Sequence, residues 1–242
     1  QENSDRITSI YKNIVNNVTF MTTISNAGVS YFRSLNANSR VFLVRNGVDL
    51  SIFKPNNISE KKSHKVVGLI GNLHIYHEYS GLIMAAQAMK GVSFVIIGKI
   101  PKVKDLSNLE TKSNLEKLFS LVNVKYHGWV PLCDLPAFIS TFDAGLITYK
   151  TKKLDPDNLL NTGDSLKKYQ YLACDVPVIT SDCQEIDAEL KDGIFIYDDE
   201  IELQSVIRNV IFSEKKINYR NLVKKYDWNQ IVKKILEYVY QS

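Results

Sequence analysis

The chain has 242 residues, of which 45% are hydrophobic and 23% charged. That balance suits one large or two small globular domains and excludes disorder, collagen and coiled coil. Thirty basic against 26 acidic residues leave a net charge of +4, too mild a bias to point to nucleic acid.

In chain order, Ile7, Ile10, Ile14 and Val15 recur at helical spacing. Val18 to Ile24 is a short run rich in β-branched residues and predicts a strand. Ser25 is placed to cap a second helix, with Val29, Phe32 and Leu35 turned inward. Val41 to Val44 predicts a second strand. Then Asn46-Gly47, Pro55 and Asn56-Asn57 bring turn chemistry, followed by a polar stretch to residue 64. We expect residues 1–45 to end one domain, 46–64 to be a linker, 65–226 to form a second domain, and 227–242 to be a terminal helix.

From Lys65 onward apolar runs recur at Val66–Ile70, Phe94–Ile97, Val124–Tyr126, Ala144–Ile147, Pro177–Thr180 and Ile194–Tyr197. Most intervals show helical periodicity, as in Leu82, Ala85, Ala86 and Met89, or Leu115, Leu118, Phe119 and Val122. Continuous rather than alternating apolar runs mean strands covered on both faces. The expected fold is therefore α/β, a Rossmann-like doubly wound parallel sheet. Trp228, Ile231, Val232, Ile235, Leu236 and Val239 mark the last helix, with Asp227 as its N-cap.

Ligands of such sheets bind beyond the carboxyl ends of the strands, where strand order reverses. Gly71-Asn72-Leu73-His74 follows the first run of this sheet and Gly98-Lys99 the second. Gly163 and Ser165 precede a helix that carries Lys167 and Lys168 in its first turns. Backbone donors, helix dipole, hydroxyl and ammonium together suit a pyrophosphate. Each feature alone is equally well a turn or a solvated helix face. His74 and His77 read first as surface or hydrogen-bonded histidines, not as bases. Neither G-x-G-x-x-G nor G-x-x-x-x-G-K-[ST] occurs, which disfavours NAD enzymes and P-loop NTPases. Asp155-Pro156-Asp157 reads as a turn, and no metal site is expected. Cys133, Cys174 and Cys183 lack C-x-x-C spacing and read as reduced, mostly buried thiols of a cytosolic protein. No signal peptide is visible, and the first residue is not Met, so we expect a segment to precede Gln1.

In order, four strings resemble glycosyltransferase family 4, whose fold is GT-B. They are "VFLVRNGVDLSIFKP", "VVGLIGNLHIYHEYSGLIMAAQAMKGVSFVIIGK", "NVKYHGWVPLCDLPAFISTFDAGLITY" and "SLKKYQYLACDVPVITSD". The resemblance implies a retaining, metal-independent hexosyltransferase with a UDP- or GDP-type nucleotide-sugar donor and no cofactor. It implies a glycan or lipid-linked acceptor in the biosynthesis of a bacterial surface polysaccharide. Residues 1–45 would be the remnant of an acceptor-side Rossmann-like domain, and the last helix would cross back to it.

By the same resemblance Lys167 neutralises the leaving phosphate and Asn72 stands where a phosphate-binding arginine is usual. Donor-binding positions are Gly71, Asn72, His74, Gly98, Lys99, Val130, Thr162, Gly163, Ser165, Leu166, Lys167 and Gln170; Asn46, Gly47 and Asp49 form the hinge. Thr162 and Gln170 replace two glutamates, His77 falls near a customary lysine, and Asp175 replaces a glycine. These departures motivate an alternative, a non-catalytic GT-B-like subunit supporting a partner transferase. An epimerase or phosphorylase of the same fold has no specific sign. Residues 214–240 carry seven basic and three acidic residues, the whole net charge. They could meet anionic head groups at the inner membrane face, or simply be a solvated surface.

Overall fold

A computed structural model describes residues 2–56, 64–100, 106–150, 163–182, 185–215 and 217–240. Asp155–Asp157, Thr162 and Cys183 fall outside them. The chain begins with helix α1 (Glu2–Asn17), strand β1 (Met21–Thr23), helix α2 (Asn26–Leu35) and strand β2 (Val41–Leu43). β1 and β2 pair in parallel. Ser25 caps α2, its hydroxyl accepting from Gly28 N–H at 3.0 Å. Val29, Phe32 and Leu35 are only half-buried. In α1, Val15 is buried, while Ile7, Ile10 and Ile14 stay exposed.

The larger layer holds β3 (Lys65–Ile70), β4 (Val92–Ile97), β5 (Val124–Gly128), β6 (Ala144–Ile147), β7 (Val178–Ser181) and β8 (Ile194–Tyr197). Their order is β5-β4-β3-β6-β7-β8 and every pairing is parallel. Each of the six apolar runs is one of these strands. The central β6 and β7 are buried at every residue, as double coverage requires. Helices α3 (Ser80–Ala88), α4 (Leu106–Phe119) and α7 (Glu202–Ile211) cover one face. Their Leu82, Leu118 and Ile207 pack on Leu69, Phe94 and Ile179. Helices α5 (Leu135–Ile139), α6 (Leu166–Ala173) and α8 (Tyr219–Leu222) lie on the opposite face, where Tyr171 and Leu172 meet Ile70, Ile147 and Val178. Each fully buried aliphatic or aromatic side chain contributes about 1.5–3 kcal/mol. Val122 lies beyond the end of α4 and is fully exposed, so its place in the helical pattern was coincidental.

The last helix is α9 (Trp228–Tyr240). Asp227 caps it, its carboxylate accepting from Asn229 N–H at 2.9 Å. Only Ile231 of the expected apolar stripe is buried; Val232, Leu236 and Val239 are exposed. Tyr238 stacks on Phe42 of β2 with ring centroids 4.0 Å apart.

Candidate functional site

β3 and β6 are neighbours at the centre of the sheet, and their connections run in opposite directions, which makes this the switch point. The β3–β6 register ends at Leu69–Leu146. Beyond it the Ile70 N–H turns to a side chain. The buried Tyr171 hydroxyl accepts that N–H at 2.9 Å and lies 3.2 Å from the Leu146 carbonyl. The end of β3 is thus reached without an orphaned backbone donor.

The loops beyond the ends of β3, β4 and β5 are tied together. Gly71 N–H donates to Ile97 O, Leu73 N–H to Lys99 O, and Gly98 N–H to Gly128 O, at 2.8–2.9 Å. Gly71 has φ +122° and Gly98 has φ +155°, values that side-chain-bearing residues rarely adopt. At Gly98 a Cβ would lie 1.7 Å from the Gly71 carbonyl oxygen. The glycines therefore serve close contact between two loops as well as turning.

The segment after β3 also pairs with the segment after β6: His77 bridges Tyr149 and Glu78 N–H donates to Thr148 O. This places His74, His77 and Tyr149 around the tip of Lys167, which arrives from the first turn of α6. Lys167 Nζ lies 3.3 Å from His77 Nε2 and 4.8 Å from the Tyr149 ring centre. Its aliphatic end covers Gly71, where a Cβ would come within 2.5 Å of Cε. Burial, then the Lys167 charge, holds both His74 and His77 below the ordinary imidazole range.

The structure thus brings Gly71, Gly98, His74 and Lys167 into one locality, with His77. Ser165 is the N-cap of α6, Gly163 precedes it, and Leu166 is exposed on its first turn. Gln170 is half-buried one turn further on, and Asn72 is exposed. Lys99 pairs with the exposed Trp129, its ammonium 5.2 Å from the ring centre, and Val130 packs against the core below. Lys168 does not share the role of Lys167. It is 2% exposed, ion-paired with Asp164, and donates to Glu185 O at 3.0 Å. Cys133 is exposed, against expectation; burial pushes the Cys174 thiol up to about 12.

Asp164 escaped the sequence reading. It is 4% exposed and accepts from Tyr169 OH at 3.0 Å and from Asn46 N–H at 2.6 Å. Asn46 therefore anchors the loop that presents Lys167. The i,i+4 spacing of Asp164 to Lys168 was the available signal. Gly47 permits close approach, since a Cβ there would lie 2.5 Å from Tyr226 O. Asp49 accepts from Ser51 N–H in a turn. Asp175 has φ +63°, so the glycine usual there reflects backbone geometry, and its carboxylate takes Arg220 N–H at 3.2 Å.

Strand order and parallel pairing define a Rossmann-type domain with Lys167 at its switch point. The profile described as "Glycosyl transferases group 1" matches residues 64–211, more than half of the chain, and the protein belongs to that family. It is 22% identical over 212 residues to a Bacillus subtilis (strain 168) protein named as a teichuronic acid biosynthesis glycosyltransferase, TuaH. That match covers 82% of this chain and 50% of the relative, so the chain spans about half the relative's length. Among solved structures it resembles sucrose-phosphate synthase from Thermosynechococcus elongatus (TM-score 0.77, 15% identity, 98% of this chain and 61% of that one). It also resembles Anabaena HepE, solved with UDP and glucose (TM-score 0.74, 17% identity, 97% and 67%). These likenesses establish the GT-B type of fold.

Proposed function

We propose that this chain is the donor-binding part of a retaining hexosyltransferase that passes a sugar from a UDP- or GDP-sugar to a polysaccharide or glycoconjugate acceptor. The observation that carries this reading is Lys167, its ammonium held over Gly71 at the switch point. An ammonium there would offset the charge that grows on a departing diphosphate. The N-terminus of α6 adds its dipole. The reading draws further support from HepE, which was solved with UDP-glucose, and from the name of the B. subtilis relative. We assign the phosphate charge to Lys167 and the helix, without a metal ion, and expect EDTA to leave donor binding unchanged. The remaining hinge and domain assignments (1–45, 46–64, 65–226 and 227–242) follow the same reading. No helix among the described residues is long and apolar enough to cross a membrane. We place the protein in the cytoplasm, with peripheral contact at the inner membrane face through its basic C-terminal stretch.

Titration calorimetry with UDP, UDP-glucose, GDP and ADP tests the assignment. One nucleotide should bind, and Lys167→Ala should weaken it by about 1–3 kcal/mol. Absence of binding by all four would remove the reading. The neutral Asn72 and Gln170 favour a second reading, a subunit that supports a partner transferase; turnover by the full-length protein alone would exclude it.

A further inference from the structure

Lys167 and His77 lie 90 residues apart in sequence, yet their side chains meet at 3.3 Å. A lysine ammonium carries only donors. His77 Nε2 must therefore be the acceptor, which leaves the ring proton on Nδ1. Nδ1 lies 3.2 Å from Thr148 Oγ1, which can accept that proton; the Asn72 and Thr148 carbonyls also hydrogen-bond the ring. His77 is 2% exposed and Thr148 is fully buried. The ring is wedged among His74, Tyr149 and Tyr79, with centroids 4.9, 5.0 and 5.9 Å away. Of the nearby charges, Lys167 comes from α6; the Glu78 carboxylate is occupied by Ser80 N–H at the start of α3.

We infer that His77 is a positioning residue for Lys167: a neutral imidazole, held as the Nδ1–H tautomer by Thr148, that aims the ammonium over Gly71. The choice of acceptor has a consequence. A carboxylate at this place would hold the lysine more tightly but cancel its charge. An imidazole takes one ammonium proton and brings no negative charge of its own, with the Tyr149 ring face beside it. A lysine side chain otherwise carries rotamer entropy that a ligand would have to freeze. Pre-aiming removes part of that cost before the ligand arrives.

This inference rests on the donor reading for the identity of the anion, but its geometry does not. Two measurements separate them. The first is the ¹⁵N spectrum of the histidine rings in the ligand-free chain at pH 7. His77 should be neutral and protonated at Nδ1; an Nε2–H or doubly protonated ring overturns the inference, whatever nucleotide binds. The second is UDP calorimetry on folded variants. His77→Phe should weaken binding by about tenfold, while His77→Gln, whose amide oxygen can still accept, should stay within about threefold of wild type. In a Lys167→Met background, His77→Phe should add nothing. Equal UDP affinity of His77→Phe and wild type, or a full second loss in the Lys167→Met background, would overturn it. If wild type binds no nucleotide, the donor reading falls and the tautomer alone decides the positioning role. If His77→Phe does not fold, the Gln variant and the tautomer carry the test, and a Gln variant as weak as Lys167→Met counts against it.

Discussion

The two glycines that follow β3 and β4, Gly71 and Gly98, differ in what surrounds them, and the difference sets an order of damage. At Gly71 an added Cβ meets the end of the Lys167 side chain, 2.5 Å from Cε, and a flexible side chain can withdraw. The remaining cost is backbone strain at φ +122°, about 1–3 kcal/mol. At Gly98 the same Cβ lands 1.7 Å from a carbonyl oxygen, which cannot move without breaking the contact between the loops after β3 and β4. Gly98→Ala should therefore be the more destabilising by urea unfolding. Gly71→Ala should fold and, under the proposed donor role, bind UDP more weakly, because Lys167 is displaced. A Gly98→Ala variant as stable as Gly71→Ala would show that these loops are not locked together.

At the scale of elements, the start of α6 depends on one buried carboxylate. Asp164 faces the Lys168 ammonium, the Tyr169 hydroxyl and the Asn46 amide. Removing it leaves Lys168 buried without its counter-ion, a change that costs about 3–5 kcal/mol. Asp164→Ala should lose close to that amount in chemical unfolding, and Lys168→Met less, because Asp164 keeps two donors. Equal small losses would mean that the pair is solvated. The six strands were legible in the sequence because burial on both faces leaves an uninterrupted apolar run, and the run is the strand. The apolar stripes of α1 and α9 were legible as helices but misleading about burial: periodicity reports which face is apolar, not what covers it, and Ile7, Ile10 and Leu236 remain exposed. Lys167 could be singled out through the family resemblance, and Gly71 and Gly98 through their place after strands. The meeting of Lys167 with His77 could not be read, because sheet topology, not local spacing, brings loops 90 residues apart together. Lys168 was misread with its neighbour because adjacent helical positions look alike in sequence while pointing to opposite environments.

For the molecule as a whole, the β1–β2 layer is joined to the six-stranded sheet by Arg45. Its guanidinium, 9% exposed, reaches Glu185 and Asp187 at 2.9 Å and the Ile24 carbonyl at 2.8 Å. Glu185 in turn accepts the first N–H groups of α2, from Asn26 and Ala27, and Tyr226 OH donates to Asp187. Arg45→Met would leave both carboxylates partly satisfied by those donors, so a loss of about 2 kcal/mol is expected, below the full penalty for a stranded buried charge. Burial raises both carboxyls, but for Glu185 the α2 amides and Arg45 outweigh it, and for Asp187 the Tyr226 hydroxyl and Arg45 do; both end below the ordinary carboxylate range. Depressed carboxyls give stability that is present above their unfolded values and is lost as pH falls through the folded ones. The gap between wild type and Arg45→Met should therefore be constant from about pH 8 to 5 and close below about pH 4. Hydrogen exchange locates the effect. At pH 7 the variant should lose protection in β1, α2 and β2 while β3 and β4 keep theirs. Uniform loss across both sheets would show instead that Arg45 stabilises the six-stranded sheet itself, and that the two layers unfold as one unit.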